Sequence, residues 1–207
     1  ADATNTTPDM VVNINGVVTI GSTSNANNAL RVSQNGTDNV SIIKINNSIV
    51  LGNNSSITYQ GSATRNLEIG AVISDGGNGY SLSINDELGA WAVTSRTIAL
   101  LGLNTFSGDL SLSEGGIQFN TVTNQNGGPS SLGQGANLLI KAGTLTFIGN
   151  TSQSTDRPIT SSTGVITLGA NGTDGAVITY NGAINIGPTA DGSQLILSGL
   201  AGSQGVI

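Results

Sequence analysis

The chain has 207 residues, 12 acidic against 6 basic and no histidine or cysteine, for a formal net charge of -6. That balance excludes the basic, phosphate-tracking stripe of a nucleic-acid binder, and the missing residues exclude a disulfide framework, a conventional zinc site and any Ser-His-Asp or Cys-His nucleophile. Hydrophobic residues reach 37% but aromatics only 3%, with 30 Gly, so a core has to be assembled from thin Ile, Val and Leu layers in a chain that turns every few residues.

Ala1 to Asp9 is polar and Thr-rich and reads as an N-terminal arm. Residues 10–207 read as one continuous unit. The only Met is Met10, and removal of an export signal before Ala1 is the expected origin of this start. Val11 to Ile14 and Val17 to Ile20 flank Asn15-Gly16, a strong turn signal. Ala29 to Val32, Val40 to Ile45, Ile49 to Leu51 and Ile57 to Tyr59 follow, separated by Asn-rich breaks. Leu67 to Ile69, Tyr80 to Ile84, Ala99 to Leu101, Leu110 to Leu112 and Gly116 to Phe119 continue the series up to a polar loop at Asn124 to Gln134. Leu138 to Ile140, Leu145 to Ile148, Val165 to Leu168, Val177 to Tyr180, Ile184 to Ile186 and Leu195 to Leu197 complete it.

Each run has strand length, and none repeats at the i, i+3, i+4 spacing of an amphipathic helix. None approaches the roughly 18 apolar residues of a membrane helix, so no membrane insertion by helix is expected. The runs group at about 20 to 25 residues, the period of solenoids. A sandwich or an up-and-down barrel fits less well, because both need longer strands, tight hairpins and an aromatic-anchored core. The expected fold is all-β, a parallel β-helix (β-solenoid) forming a single elongated unit of roughly eight or nine coils. From Leu195 to Ile207 there is no helix, charge cluster or Pro, so the C-terminal end is expected to be uncapped.

The densest segment is Thr97 to Asn120. It contains Leu101-Gly102-Leu103-Asn104-Thr105-Phe106-Ser107-Gly108, followed by Leu110 to Leu112 and Gly115-Gly116-Ile117. This order resembles the autotransporter-associated β-strand repeat of bacterial surface proteins: an apolar strand, Gly-x-Asn-Thr-Phe/Tyr-x-Gly, a second strand and a Gly-rich turn. Leu67 to Gly77 is similar to the strand and turn that precede that motif, and Gly182 to Gly199 to the start of another copy. Leu145 to Gly149 and the Ser154 to Arg157 turn resemble connecting segments. The resemblance covers about half of the chain and implies a right-handed β-helix, extracellular or on the cell surface after export, carried as a passenger or used as a free-standing subunit. It brings no catalytic residues. Gly102, Asn104, Thr105, Phe106, Gly108, Gly115 and Gly116 are therefore expected to be architectural, Asn104 to Gly108 forming a corner between strands.

The remaining chemistry is carboxylate chemistry. Asp86-Glu87 is the one adjacent acidic pair and would have to serve any polysaccharide-cleaving activity; after Tyr80 to Ile84 it is expected on a turn, in solvent. Asp109, Glu114, Asp156, Asp174 and Asp191 stand beside Gly or turn residues, where Asp bonds to local backbone. Asp75 to Leu82 is similar to a calcium-binding nonapeptide, with Ser81 where an Asp belongs and no tandem copy. Leu132-Gly133-Gln134-Gly135 lacks the Lys of a phosphate loop. Trp91 is expected to pack partly buried, Tyr59, Tyr80 and Tyr180 to lie inside or at coil edges, and Asp156-Arg157 to form a local ion pair. Sequons such as Asn39-Val40-Ser41 and Asn54-Ser55-Ser56 accept glycans only in a host that adds them. The expectation is a non-enzymatic extracellular structural solenoid, without cofactor or metal, in a surface fibre or filament. Its expected partners are copies of itself head to tail or neighbouring repeats of a longer chain, with a glycan or a host or biofilm surface as a further candidate.

Overall fold

A run of three to six β-branched residues cannot bury a face alone, so each strand pairs with its counterpart one layer along the rod. The computed structural model describes residues 10–12, 16–21, 29–33, 43–60, 66–86, 97–188, 192–199 and 204–206. No helix occurs among them. In chain order the strands fall into rungs: β1 (Met10–Val12), β2 (Val18–Ile20) and β3 (Ala29–Ser33); β4 (Ile43–Ile45), β5 (Ile49–Leu51) and β6 (Ser55–Gln60); β7 (Asn66–Ile69), β8 (Ile73–Ser74) and β9 (Leu82–Asp86). Two rungs of two strands follow, β10 (Thr97–Leu100) with β11 (Leu110–Leu112) and β12 (Gly116–Phe119) with β13 (Leu138–Ile140). Then come β14 (Gly143–Phe147), β15 (Gln153–Thr155) and β16 (Ile159–Ser161); β17 (Val165–Ala170), β18 (Val177–Tyr180) and β19 (Ile184–Ile186); and finally β20 (Gln194–Gly199) and β21 (Gln204–Val206).

The first strand of every rung joins one eight-stranded sheet, from β1 to β20, and the last strands of the first seven rungs join a seven-stranded sheet, from β3 to β19. We call these the first and second walls. A third wall is split into β2-β5-β8 and β15-β18-β21. All of these strand pairs are parallel, which is the β-solenoid the repeating runs predict. β1 and β2, on either side of the Asn15-Gly16 turn signal in sequence, pair with β4 and β5 and not with each other.

In-register pairing makes one alignment of side chains do the work of a core. Ile43, Leu67, Ile98, Ile117, Leu145, Leu168 and Leu197 form one column of the first wall. Ile45, Ile69, Leu100, Phe119, Phe147, Ala170 and Gly199 form the next. The second wall answers with Leu30, Ile57, Ile84, Leu112 and Ile140. Leu67, Ile69, Leu100, Phe119 and Phe147 have no exposed surface, and each such side chain contributes roughly 1.5–3 kcal/mol of burial. Phe119 and Phe147 meet at 5.6 Å with planes tilted by 54°, a favourable edge-on arrangement.

The repeat is less regular than its expected period. Register partners lie from 19 residues apart (Ile98 to Ile117) to 33 apart (Met10 to Ile43), because corners of very different length are absorbed between strands of fixed register. β8, β15, β16 and β21 also arise where no apolar run announces them. Ser154 and Thr155 belong to β15 and not to a turn, and Asp86 closes β9 opposite Tyr59 instead of standing on a turn. The arm 1–9, Asn39, Glu87, Trp91, Asp191 and Ile207 lie outside the described residues.

Candidate functional site

The 102–108 corner is built so that each residue type in it has one task. Gly102 passes so close to the rung before it that a Cβ would fall inside the van der Waals shell of the Ala71 carbonyl oxygen, and one on Gly108 would collide with the Tyr80-Ser81 backbone. Phe106 is fully buried beneath Gly133. The Thr105 amide donates to the Ile73 carbonyl at 2.9 Å. Asn104, with no exposed surface, links three rungs: its Oδ1 accepts from the Ile73 amide at 2.8 Å and its Nδ2 donates to the Ser131 carbonyl at 2.6 Å. Its backbone forms the antiparallel bridge to Ser130. Gly115, at φ 86, makes the turn that starts β12 at Gly116. These contacts make 102–108 a corner that ties adjacent rungs together.

Asp75 is tied into the same joint. Its Oδ1 accepts from the Gly77 amide at 2.9 Å, and its Oδ2 accepts from the Tyr80 amide at 3.0 Å, the Ser107 amide at 3.0 Å and the Ser107 hydroxyl at 2.8 Å. Donors converge on the carboxylate, which is the opposite of a calcium shell, and no metal-ligand cluster occurs among the described residues. Burial pushes the Asp75 pKa up, but the bonds from Ser107, Gly77 and Tyr80 together outweigh it and hold the carboxyl below its usual value. A depressed acid contributes stability that is complete above the unfolded pKa and disappears as pH falls through the folded one. Asp75→Asn is expected to lose about 2 kcal/mol at pH 7, since bonds to a charged acceptor are worth about 1.5–3 kcal/mol. Urea unfolding at pH 7 and pH 3 checks this, the difference between variant and parent narrowing in acid.

A polar chain climbs the corner before the second wall. Asn54 Oδ1 accepts the Ser81 amide at 2.9 Å, Ser81 Oγ the Asp109 amide at 3.2 Å, and Asp109 Oδ1 the Asn137 amide at 3.0 Å. Each of these residues precedes a strand, and the next in line is Pro158, which has no N–H to give. There the ladder stops, and Asn137 turns its Nδ2 back to the Asp109 carboxylate at 3.0 and 3.1 Å.

Arg157 departs from its expected role. It is 1% exposed, and its guanidinium donates to the carbonyls of Leu132 at 3.0 Å, Gly133 at 3.4 Å and Asn137 at 3.3 Å, leaving Nε without a partner. Burial lowers its pKa to about 10, with the Asp109 charge opposing, so it remains cationic at neutral pH. Asp156 is exposed and instead accepts the Gln125 amide at 2.7 Å. The supposed polar loop is partly interior too: Ser130, Ser131 and Leu132 are fully buried, Ser131 Oγ donating to Asn120 Oδ1 at 2.6 Å.

At the far end the packing loosens. Leu197 is 60% exposed although its partner Leu168 is 4% exposed, and a hollow of about 240 Å³ opens between Leu168, Ala170, Ile178, Tyr180, Leu197 and Val206. Tyr59 and Tyr180 are buried, as expected, but the Tyr180 hydroxyl is enclosed with no hydrogen-bond partner, and burial raises its pKa. An orphaned buried hydroxyl costs stability. Tyr180→Phe is therefore expected to raise stability by up to about 1 kcal/mol, seen as a higher denaturant midpoint at unchanged slope.

With this geometry the chain belongs to the parallel β-solenoids as a class of architecture. Comparison with family models, with curated proteins and with solved structures returns no match to this chain.

Proposed function

We propose that the chain is a non-enzymatic, extracellular structural β-solenoid that builds part of a surface fibre or filament by stacking end to end. The carrying observation is the last strand of the first wall. All six residues of β20 are exposed, including Leu195 and Leu197, which stand in register with the buried Ile166 and Leu168. A strand paired along one edge only, and carrying layer residues, is a template for another strand, and head-to-tail contacts that do not close generate filaments. The polar side chains support a structural role as well: Asp75, Asn104, Asp109 and Arg157 are engaged in bonds between rungs. Electron microscopy of the purified chain at rising concentration tests this, with rods that lengthen expected and rods that stay single overturning it.

The corner at Gly102 to Gly108, which resembles the autotransporter-associated repeat, supports a second reading as a stretch of a longer passenger acting as stalk or adhesin. Further rungs of the same chain would then cover β20. A translocating barrel encoded beyond Ile207 would favour this reading over the filament. A polysaccharide-cleaving role predicts turnover lost in Asp86→Ala, and no turnover across a glycan panel would sink it.

A further inference from the structure

The inner column of the first wall loses its large side chains in the later rungs. Phe119 and Phe147 fill it in the fifth and sixth, and Ala170 and Gly199 continue it in register. The third wall thins at the same level, where Gly205 stands in register with Ile178. These reductions in side-chain size leave the hollow of about 240 Å³, because a close-packed interior does not close fully over a missing ring. Its sides are well made: Leu168, Ala170, Ile178 and Tyr180 are each at most 5% exposed. Leu197 and Val206, which also line it, are exposed and leave an entrance.

Among the described residues the buried side-chain atoms without a hydrogen-bond partner are Arg157 Nε, Tyr180 OH and Ser193 Oγ, and of these three residues Tyr180 lines the hollow. An unpaired hydroxyl is costly in an interior; a Phe ring, as used at 119 and 147, would avoid that cost. Burial keeps the phenol protonated, so it can donate as well as accept. No charged side chain lines the hollow among the described residues, and an ion would lose its water there without gaining a counter-charge. We infer that the hollow binds a small uncharged molecule, one ring with a short branch carrying a hydrogen-bond acceptor for the Tyr180 hydroxyl, at a site independent of end-to-end stacking. The size follows from the volume: an apolar cavity of about 150 Å³ takes benzene, and about 240 Å³ leaves room for a few more heavy atoms.

The same hydroxyl then acts in opposite directions in the free and the occupied chain. Alone it lowers stability, which is why Tyr180→Phe is expected to unfold later; with a ligand it gains the partner it lacks. Stability lost at a position that serves binding is a recurrent trade-off.

Acetophenone and cumene test this as a matched pair, close in shape but with an acceptor oxygen only in the first. Titration of the chain with each is followed by the methyl NMR signals of Ala170, Ile178 and Val206, which line the hollow, with Ile57 and Leu67 of earlier rungs as controls. The first group is expected to shift and the second to stay in place. Tyr180→Phe, which should fold at least as well as the parent, is expected to lower the affinity for acetophenone relative to cumene about three- to tenfold, the worth of one hydrogen bond. Ala170→Leu fills the hollow and is expected to abolish binding of both probes; should it not fold, Tyr180→Phe carries the test alone. No shift of the three methyl signals with either probe at saturation in water overturns the site. So do shifts spread equally over Ile57 and Leu67, and so does an acetophenone-to-cumene ratio that is the same in Tyr180→Phe as in the parent.

Discussion

Asn104→Ala is expected to lose about 4 kcal/mol. The substitution leaves the Ile73 amide and the Ser131 carbonyl without partners in a site with no exposure, each orphan costing about 1–3 kcal/mol, and it removes the link that holds the third, fourth and fifth rungs together. Urea unfolding followed by circular dichroism measures it. Asn104→Asp separates the two bonds: it keeps an acceptor for Ile73 but sets an oxygen against the Ser131 carbonyl, so it is expected to be no more stable than the alanine variant at pH 7. A loss below about 1 kcal/mol would show that the joint closes without its amide.

Arg157→Ala is expected to cost about 3 kcal/mol or more, through an empty volume in the interior and the loss of the donor to Leu132. The Gly133 and Asn137 carbonyls suffer less, because they also accept from the Ser130 hydroxyl and the Leu110 amide. Methionine at this position provides the informative comparison. A buried cation is costly to desolvate, as its lowered pKa shows, and well-packed apolar replacements of buried charges are often tolerated. Arg157→Met should recover at least half of the alanine loss. If Met and Ala unfold at the same denaturant concentration, the guanidinium bonds and not the filled volume hold the 130–137 segment in place.

The sequence made the solenoid legible wherever inward and outward positions alternate with different chemistry. β11 and β12 alternate in this way, and Gly108 and Gly115 mark the corners before them. Gln153-Ser154-Thr155 carries no such contrast; it becomes a strand because Val177 to Tyr180 lies beside it, a neighbour more than twenty residues away. Ser130 and Ser131 look like loop residues for a similar reason. What admits them to the interior is bonding to Asn104, Asn120 and Thr121, and no local pattern encodes those partners. Arg157 was misread on its adjacency to Asp156, whereas its carbonyl partners lie 20 to 25 residues upstream. The motif corner was legible as a joint, but its bracing by Asp75 was not, because that contact depends on how one rung sits on the next.

The column that runs Leu100, Phe119, Phe147, Ala170, Gly199 gives the rod a polarity. Its interior is densest around the paired phenylalanines and thins toward β20, so opening of the backbone to solvent should be graded along the axis. Amide hydrogens of β12 and β14 are expected to exchange with deuterium most slowly, those of β17 and β18 sooner, and those of β20 first. On assembly that gradient should flatten, because the rung that breathes most in the free chain becomes an interior one, and slowed exchange at β20 would report filament growth without any label.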